Sequence, residues 1–548
     1  MVGYTLLAAL LAGPLTVAAA GTRDKAFLAA RDAFLAGDRT KLARQAEKVR
    51  GHLLEPYTVY WGLRLRLEQA DPGEVGGFLA RNAGTPLADR LRGEWLRFLG
   101  KSGQWELFRR EHPALVKDDP EVACYVLQER WLRRDEAVPP ALRRMLQAPR
   151  ALPAGCASLA ETMVRSGDLT DRDLRERFRL LIRKGMIAEA KRVAELTPGG
   201  TLPPVGRIDK AFQAPSAYLE GAGSACETAA GRELAIVALT RLAQNDPQAA
   251  VARWKAGLRE RFASAEQGYV WGVLATLGAQ RHLPEAVGWF REAGEAPLAD
   301  EQLAWRARIA LRQGNWQEVK TAIERMAVSV FNEPAWIYWL GRAHGELGAP
   351  EEGKRLYGCI SREHHFYGQL AAEELGIPLA VPPKAAPPTQ QEIAAVSSQD
   401  GIGRALALYR LGLRAEATAE WVWAIRPMDD RALLAAAEVA RRNGIWDRAI
   451  NTADKTVALH DFSLRYPAPY GKVLAEQARL RKIDAPWVLG LVRQESRFIA
   501  DARSPAGATG LMQLLPTTAR WVARKIGMKG YTASRVNQPR VNVTLGAF

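Results

Sequence analysis

Short helix-forming segments at nearly regular intervals constrain the fold of this chain more than any other feature. Between Thr22 and Gly376, apolar residues recur at spacings of three and four, and glycine, proline or aspartate interrupts the pattern about every dozen residues. Alternating runs of β-branched residues, which would indicate strands, are nearly absent from the sequence. The pattern therefore predicts an all-α chain.

The middle of this region repeats a turn followed by a helix. Four segments start such units: Pro247-Gln-Ala-Ala, Pro284-Glu-Ala-Val, Trp316-Gln-Glu-Val and Pro350-Glu-Glu-Gly. Their starts are 37, 32 and 34 residues apart, close to the period of helix-turn-helix solenoids. Single hairpins cannot bury their own apolar faces, so we predict a stack of hairpins. Most of the 16 tryptophans should then lie in the core between hairpins.

A proline-rich segment divides the chain. Ile377 to Thr389 contains five prolines and cannot be helical throughout. Short amphipathic helices resume after it, and the chain changes character again near Phe462. We therefore predict a signal peptide at residues 1–20, a solenoid at 21–376, a linker with a helical linker domain at 377–462, and a last domain at 463–548.

The N-terminal segment has the pattern of a secretory signal. Thr5 to Ala20 is apolar but shorter than the about 20 residues that a spanning helix needs, and it ends in an Ala-x-Ala cleavage pattern. No basic residue precedes it, so an uncleaved anchor or a misplaced start remains the alternative. No later segment is apolar enough to span a membrane, and we predict an exported chain.

Cysteines, histidines and charge indicate neither a metal nor a cofactor. Cys124 and Cys156 lie in one helical region, where an oxidising compartment would permit a bridge, whereas Cys226 and Cys359 are isolated. The sequence contains no CxxC motif, and its histidines do not have metal-ligand spacing. The net charge of +16 favours an acidic partner or belongs to a solvated surface. No basic run with interleaved aromatics predicts nucleic-acid binding.

A carboxylate interrupts one apolar helical stripe in the last domain. Asp484 and Pro486 are suited to the start of a helix, and Val488, Leu491 and Val492 share one face of it. The next position of that stripe is Glu495, so we expect this residue to be buried and held in its neutral form. The alternatives are a buried salt bridge to Arg493 or Arg497, or a helix end that frays into water.

A loop poor in large side chains follows this helix. Phe498 to Gln513 contains Gly507 and Gly510, and its polar side chains Ser504 and Gln513 could hydrogen-bond a ligand. A second helix then begins at Pro516, with a stripe formed by Ala519, Val522, Ala523 and Ile526. Together these features predict a cleft with a single acid.

These segments resemble the soluble lytic transglycosylase family. The resemblance is carried by Arg493-Gln-Glu-Ser-Arg-Phe498, by Ser504-Pro-Ala-Gly-Ala-Thr-Gly-Leu-Met-Gln513 and by Leu515-Pro516, with nine residues from Glu495 to Ser504 and eighteen to Gln513. Phe366 to Gly376 and Leu464 to Pro467 are similar to other segments of that family. The resemblance implies a right-handed α-superhelix, a helical linker domain and an α-helical domain similar to goose-type lysozyme.

The family resemblance also implies a reaction and its residues. The family cleaves the β-1,4 bond between N-acetylmuramic acid and N-acetylglucosamine in peptidoglycan, leaving a 1,6-anhydro end. Glu495 would act first as acid and then as base, Ser504 would orient the substrate acetamido group, and Met512 and Gln513 would line the cleft. Ordinary glycosidases use a second carboxylate. The only nearby candidate, Asp501, is expected to be a turn or cap residue.

The resemblance implies a periplasmic monomer that acts on glycan strands, with other cell-wall enzymes as candidate partners and no cofactor. A later Ala-Tyr-Asn-Ala-Gly motif of the family is missing before Phe548, so the last domain is expected to be incomplete and Glu495 partly solvated. Two alternatives stay open. One is a hydrolytic muramidase that uses the same glutamate, and the other is a non-catalytic helical scaffold that binds cell wall or partner proteins.

Overall fold

A computed structural model describes residues 15–196, 201–378 and 381–548, with side chains from residue 21 onward. The predicted signal peptide at residues 1–20 therefore lies outside the part whose side chains are described. The chain forms two compact units. The first unit contains the described residues up to Lys117 together with Pro382–Phe548, and the second unit contains Asp118–Val381.

The first unit is built from helices at both ends of the chain. They are α1 (Leu15–Leu35), α2 (Arg39–Val49), α3 (Glu55–Arg64), α4 (Pro72–Arg81), α5 (Pro86–Lys101) and α6 (Trp105–Glu111), followed after the second unit by α25 (Gln390–Ser397), α26 (Asp400–Arg410), α27 (Arg414–Ala424), α28 (Asp430–Arg442), α29 (Trp446–Ala453), α30 (Phe462–Arg465), α31 (Gly471–Arg481), α32 (Ala485–Ser496), α33 (Pro516–Lys525) and α34 (Pro539–Gly546). Single 3-10 turns lie at Leu67–Gln69, His112–Ala114 and Ala533–Asn537.

The second unit is also helical. Its helices are α7 (Pro120–Leu132), α8 (Val138–Leu146), α9 (Ala154–Ser166), α10 (Asp171–Arg183), α11 (Ile187–Glu195), α12 (Val205–Gln213), α13 (Pro215–Glu220), α14 (Ala222–Ala225), α15 (Ala229–Asn245), α16 (Pro247–Arg253), α17 (Ser264–Gln280), α18 (Ala286–Glu292), α19 (Asp300–Arg312), α20 (Trp316–Glu324), α21 (Val328–Phe331), α22 (Pro334–Glu346), α23 (Pro350–Ile360) and α24 (Phe366–Glu374). A π-helical turn at Trp254–Leu258 and a 3-10 turn at Arg259–Arg261 follow α16.

The all-α prediction is confirmed. Within the described ranges, β-structure is limited to isolated bridges. The helix starts predicted at Pro247, Trp316 and Pro350 are those observed, and the fourth start lies two residues later, at Ala286. Proline fits the first helical position because it has no N–H to leave unpaired there. At α16 the preceding Asp246 also caps the helix by accepting a hydrogen bond from the Ala249 N–H.

Helical pairs stack in the second unit, as the repeat spacing predicts. The partners in each of the pairs α17–α18, α19–α20 and α22–α23 pack together, and α17 contacts α19 while α20 contacts α22. Trp254 and Trp271 are fully buried in this unit and meet edge to face at 6.4 Å between ring centroids. The prediction that tryptophans lie in the core holds for these two, whereas Trp487 and Trp521 in the first unit are exposed.

A buried triad joins distant parts of the chain in the first unit. The Tyr57 hydroxyl donates a hydrogen bond to the Glu420 carboxylate at 3.0 Å, and Arg404 pairs with the other carboxylate oxygen at 3.0 Å. Burial raises the pKa of Glu420, and the two partners compensate its charge. The described residues up to Lys117 thus pack with the linker domain. The predicted domain bounds place them in the solenoid at residues 21–376, and these bounds stay a prediction.

Arg431 anchors the C-terminal part of the proline-rich linker, and the Ala385 N–H donates to the His460 carbonyl oxygen at 2.8 Å. Residues 377–389 contain no helix where they are described, as predicted. Arg431 forms a two-pronged ion pair with Glu392 at 2.6 and 2.7 Å, and it also donates to the carbonyl oxygens of Ala386 and Pro387. The hydrogen bonds from Arg431 and from the Thr389 backbone lower the pKa of Glu392 to about 2. The linker is therefore fixed to α25 and α28.

A disulfide joins Cys124 of α7 to Cys156 of α9. Their Cα atoms are 4.8 Å apart, and the bond closes a segment with a sequence separation of 32. Cys226 is buried and Cys359 is exposed, and both are free thiols. Among the described residues, no helix has the length and apolar character needed to cross a membrane.

We expect Glu392→Gln to lower the melting temperature at about pH 7, with the difference from wild type shrinking as the pH falls from 4.5 towards about 2. The sign follows because a carboxyl group with a lowered folded-state pKa stabilises the fold above its ordinary pKa and loses that contribution in acid. Thermal unfolding across this pH range measures the effect. Glu351→Gln is the control, since Glu351 pairs only with the exposed Lys354; an equal change in both variants would contradict the account.

Breaking the Cys124–Cys156 bond should destabilise the second unit by about 3–4 kcal/mol, because the unfolded chain regains the entropy of a closed loop. A Cys124→Ser, Cys156→Ser double variant can be compared with wild type by denaturant unfolding. Cys359→Ser, which changes an exposed free thiol, serves as the control and should leave stability within about 0.5 kcal/mol. A double variant as stable as the control would show that the bond does not constrain this unit.

Candidate active site

The helix that carries Glu495, α32, is buried along a different stripe from the predicted one. Val488 and Val492 are fully buried, and the next buried position is Ser496, while Glu495 is exposed. Steps of four residues advance by about 40° around a helix, so the stripe turns past Glu495. The predicted burial of Glu495 is therefore wrong in this structure. Its carboxylate forms no ion pair with any residue that the structure describes.

An unusual chain reversal follows Glu495 directly. The helix ends at Ser496, and both Arg497 and Phe498 adopt left-handed backbone conformations, with φ of 49° and 64°. Each such non-glycine residue costs roughly 1–2 kcal/mol. The reversal places Phe498 in the core with Val488, Val492, Leu511 and Met512. Burial of the phenyl ring offsets this strain, and Glu495 is left at the exposed end of a firmly packed helix.

Arg493 fastens this end of α32 to the preceding helices. It donates to the Arg465 carbonyl oxygen at 2.8 Å, pairs with Asp454 at 3.0 Å and lies over the Tyr466 ring at 4.5 Å. Arg497 also approaches Asp454, at 3.9 Å. Burial and the neighbouring Arg493 lower the pKa of Arg497 from its ordinary value. The predicted alternative of a salt bridge from Glu495 to Arg493 or Arg497 is thus wrong, because both guanidinium groups lie against Asp454.

The loop after α32 is closed by its own backbone and by the side chains of Ser504 and Gln513. Isolated bridges join Arg503 to Thr509 and Thr509 to Leu514. The Ser504 hydroxyl oxygen accepts a hydrogen bond from the Ala508 N–H at 3.0 Å. The Gln513 amide donates to the carbonyl oxygens of Gly510 and Ala502, at 2.9 and 3.2 Å. Within the part of the chain that the structure describes, the Ser504 hydroxyl proton and the Gln513 amide oxygen have no hydrogen-bond partner and can meet a ligand.

A buried asparagine from α34 organises the other side of this loop. The Asn542 carbonyl oxygen accepts from the Met512 N–H at 2.7 Å, and its amide donates to Thr509 and Val536. The Met512 side chain is only 7% exposed and has the contacts of a core residue, so its role in lining the cleft stays a prediction. The roles of Asn542 and Arg493 were not predicted from the sequence. For Asn542, the available signal was a lone asparagine beside apolar residues.

Few acids are available near Glu495. Residues 471–548 contain three other carboxylates, namely Glu476, Asp484 and Asp501. Glu476 pairs with Arg540 at 2.7 Å, and Asp484 lies at the opposite end of α32, about 16 Å away along its axis. Asp501 is exposed in the turn that starts the loop. Within this segment only Asp501 could supply a second carboxylate to the reaction.

Gly510 offers a direct test of how the loop is held. A Cβ atom there would lie 2.1 Å from the Asn542 amide nitrogen, whereas at Gly507 it would meet nothing within 4 Å. Both glycines have positive φ, so Gly507→Ala serves as a matched control. We expect Gly507→Ala to cost about 1 kcal/mol and Gly510→Ala about 3 kcal/mol, with lost hydrogen-exchange protection at Met512. Equal unfolding free energies for the two variants would contradict this role of Asn542.

Two family models match the part of the chain that contains this site. Residues 472–548 match the transglycosylase SLT domain, and residues 395–459 match the soluble lytic murein transglycosylase L domain. These two ranges contain the helix of Glu495 with its loop and the helices α26 to α29, respectively.

Similar proteins extend the match over most of the chain. The soluble lytic murein transglycosylase of Escherichia coli K12 is 22% identical over 514 residues, which cover 90% of this chain and 77% of that protein. A putative soluble lytic murein transglycosylase of Haemophilus influenzae is 26% identical over 43% of this chain and 39% of that protein.

Solved structures agree in fold. The lytic transglycosylase Slt of Pseudomonas aeruginosa, solved as an inactive variant with a glutamate replaced by glutamine, is 26% identical with a TM-score of 0.73 over 95% of this chain and 85% of that chain. The 70 kDa soluble lytic transglycosylase of Escherichia coli is 20% identical with a TM-score of 0.64, covering 96% and 85%. The chain belongs to the soluble lytic murein transglycosylase family.

Proposed function

We propose that this lytic transglycosylase cleaves the β-1,4 bond between N-acetylmuramic acid and N-acetylglucosamine and leaves a 1,6-anhydro end. Glu495 donates its proton to the glycosidic oxygen as the bond to C1 breaks. The resulting carboxylate then accepts the proton of the muramic acid C6 hydroxyl, whose oxygen bonds to C1. One glutamate thus serves both steps, and no water enters the product.

The observation that carries this proposal is the position of Glu495, an exposed acid without an ion pair at the end of a fixed helix whose segment contains few other free carboxylates. Hydrolysis by two carboxylates needs a second group within about 5–10 Å on the other side of the bond. Within residues 471–548, Glu476 is paired and Asp484 is remote, which leaves Asp501 of the loop as the other free carboxylate of this segment. An internal hydroxyl nucleophile removes the need for a second carboxylate. The inactive Glu-to-Gln variant of the Pseudomonas relative supports a glutamate as the essential group.

The loop residues would hold the sugar beside Glu495. The Ser504 hydroxyl proton can be donated to the acetamido carbonyl, because its oxygen already accepts from Ala508 and fixes its position. The Gln513 amide oxygen can accept from a sugar hydroxyl, because its NH2 group is used within the loop. Met512 would contribute mainly as backbone support. A bound strand would also exclude water from Glu495, which favours its neutral, proton-donating form.

A periplasmic location fits this substrate. The signal pattern before Thr22 and the disulfide between Cys124 and Cys156 both support export to an oxidising compartment. Peptidoglycan strands are the proposed partner of the site, with other cell-wall enzymes as further candidates. The chain is proposed to act as a monomer.

Replacing the acid tests the proposed role. In the full gene product, Glu495→Gln should reduce cleavage of purified murein by about 100- to 10,000-fold, the contribution typical of a general acid–base group. The exposed position of Glu495 means that this substitution should leave the melting temperature unchanged. Release of soluble muropeptides, followed by mass spectrometry, measures the rate.

Asp501→Asn is the matched control, because it also removes one exposed carboxylate, six residues further on. We expect this variant to keep its rate within about threefold of wild type. A loss in Asp501→Asn as large as that in Glu495→Gln would indicate a two-carboxylate hydrolase instead. Full activity in Glu495→Gln would remove the assigned acid altogether.

A further inference from the structure

A cavity of about 470 Å³ lies in the first unit, between the proline-rich linker, the C-terminal end of α28 and the segment 461–469. We call it the linker pocket. Lys384, Arg441, Arg442 and Trp446 contribute to its lining. None of these residues belongs to the site around Glu495, so the pocket supplies no group to the bond cleavage proposed above.

The charges of the linker pocket favour an anion. Arg441 and Arg442 share one carboxylate, that of Glu438, which is 13% exposed. Among the described residues, Arg441 Nη1 and Arg442 Nη2 have no hydrogen-bond partner. Lys384 lies 3.7 Å from Asp461, and 60% of its side chain is exposed. Three cations therefore face two carboxylates that are already engaged, which leaves guanidinium donors for a ligand carboxylate.

Four prolines make parts of the pocket wall apolar and rigid. Pro387 and Pro388 of the linker line it together with Pro467 and Pro469 of the segment 461–469, and proline fixes the backbone φ angle. Arg431 holds the linker side through the Pro387 carbonyl oxygen at 3.0 Å. A preformed cavity needs little ordering when it binds, so a small ligand can be held by a few contacts.

One wall residue connects the pocket with the core of the last domain. Trp446 is half-buried and packs against the cluster that contains Val488, Val492 and Phe498. Pro467 follows Arg465 and Tyr466, the residues that Arg493 contacts. A ligand in this pocket would thus lie against the same segment that fastens α32.

We propose that the linker pocket binds the terminal carboxylate of a short peptide with small side chains. The free guanidinium groups would pair with the carboxylate, and Trp446 with the prolines would contact alanine-sized methyl groups. Murein carries such peptides as stems on its muramic acid residues, so the pocket would hold a stem outside the cleft. The inference that murein supplies the peptide rests on the proposed function. The inference that the pocket binds a peptide carboxylate rests on the charges of the pocket alone.

Calorimetric titration with the free stem pentapeptide L-Ala-γ-D-Glu-L-Lys-D-Ala-D-Ala, and with its C-terminal amide, tests the pocket. We expect the amide, Lys384→Ala and Arg442→Gln each to weaken binding about tenfold relative to the free acid and wild type. Arg172→Gln is the control, since it too removes an exposed arginine paired with a glutamate, and it should bind as wild type. Thermal unfolding establishes that each variant is folded.

Three results would each overturn the proposal. They are equal binding of the acid and the amide, no binding of the acid at millimolar concentration, and wild-type binding by both Lys384→Ala and Arg442→Gln. The titration involves no bond cleavage, so its failure is separate from a failure of Glu495 as acid. KM values on stem-bearing strands and on strands stripped by an amidase distinguish the source. If Lys384→Ala raises KM only on stem-bearing strands, the ligand of the pocket is a stem attached to the glycan. If Lys384→Ala loses pentapeptide binding but leaves KM unchanged on both kinds of strand, the ligand is a released peptide.

Discussion

The convergence of Arg493 and Arg465 on the end of α29 is the contact on which the rest of the site depends. Arg493 pairs with Asp454 and donates to the Arg465 carbonyl, while the buried Arg465 side chain donates to the carbonyl oxygens of Ala453 and Thr456. Cations at a helix C-terminus satisfy carbonyl groups that lack helical partners. This junction fixes the position of the C-terminal end of α32, and therefore the position of Glu495.

The loop that follows α32 is held in a different way. Asn542 accepts a hydrogen bond from the Met512 N–H and donates one to the Thr509 carbonyl oxygen, and a buried polar backbone group left unpaired would cost about 1–3 kcal/mol. The loop can therefore present Ser504 and Gln513 without collapsing onto the glutamate. Glu495 itself is exposed, so the general acid role proposed for it requires a bound glycan that excludes water from its carboxyl group.

The sequence predicted element type well and side-chain placement less well. Helix starts at Pro247, Trp316 and Pro350 were predictable because proline, tryptophan and turn residues act locally. The motif around Glu495 was recognisable because its spacing is specific. Burial of Glu495 was mispredicted because a stripe read at offsets of three and four can end on either Glu495 or Ser496. The triad of Tyr57, Glu420 and Arg404 was not predictable, because it joins residues 363 positions apart.

In the proposed reaction, Glu495 directs attack by a substrate hydroxyl and not by water. Digestion of murein in water labelled with heavy oxygen, with the products resolved by mass spectrometry, distinguishes the two nucleophiles. We expect 1,6-anhydro ends that carry no label, formed at a rate that depends on Glu495. Reducing ends that carry one labelled oxygen, formed with the same dependence on Glu495, would contradict it and show a hydrolase.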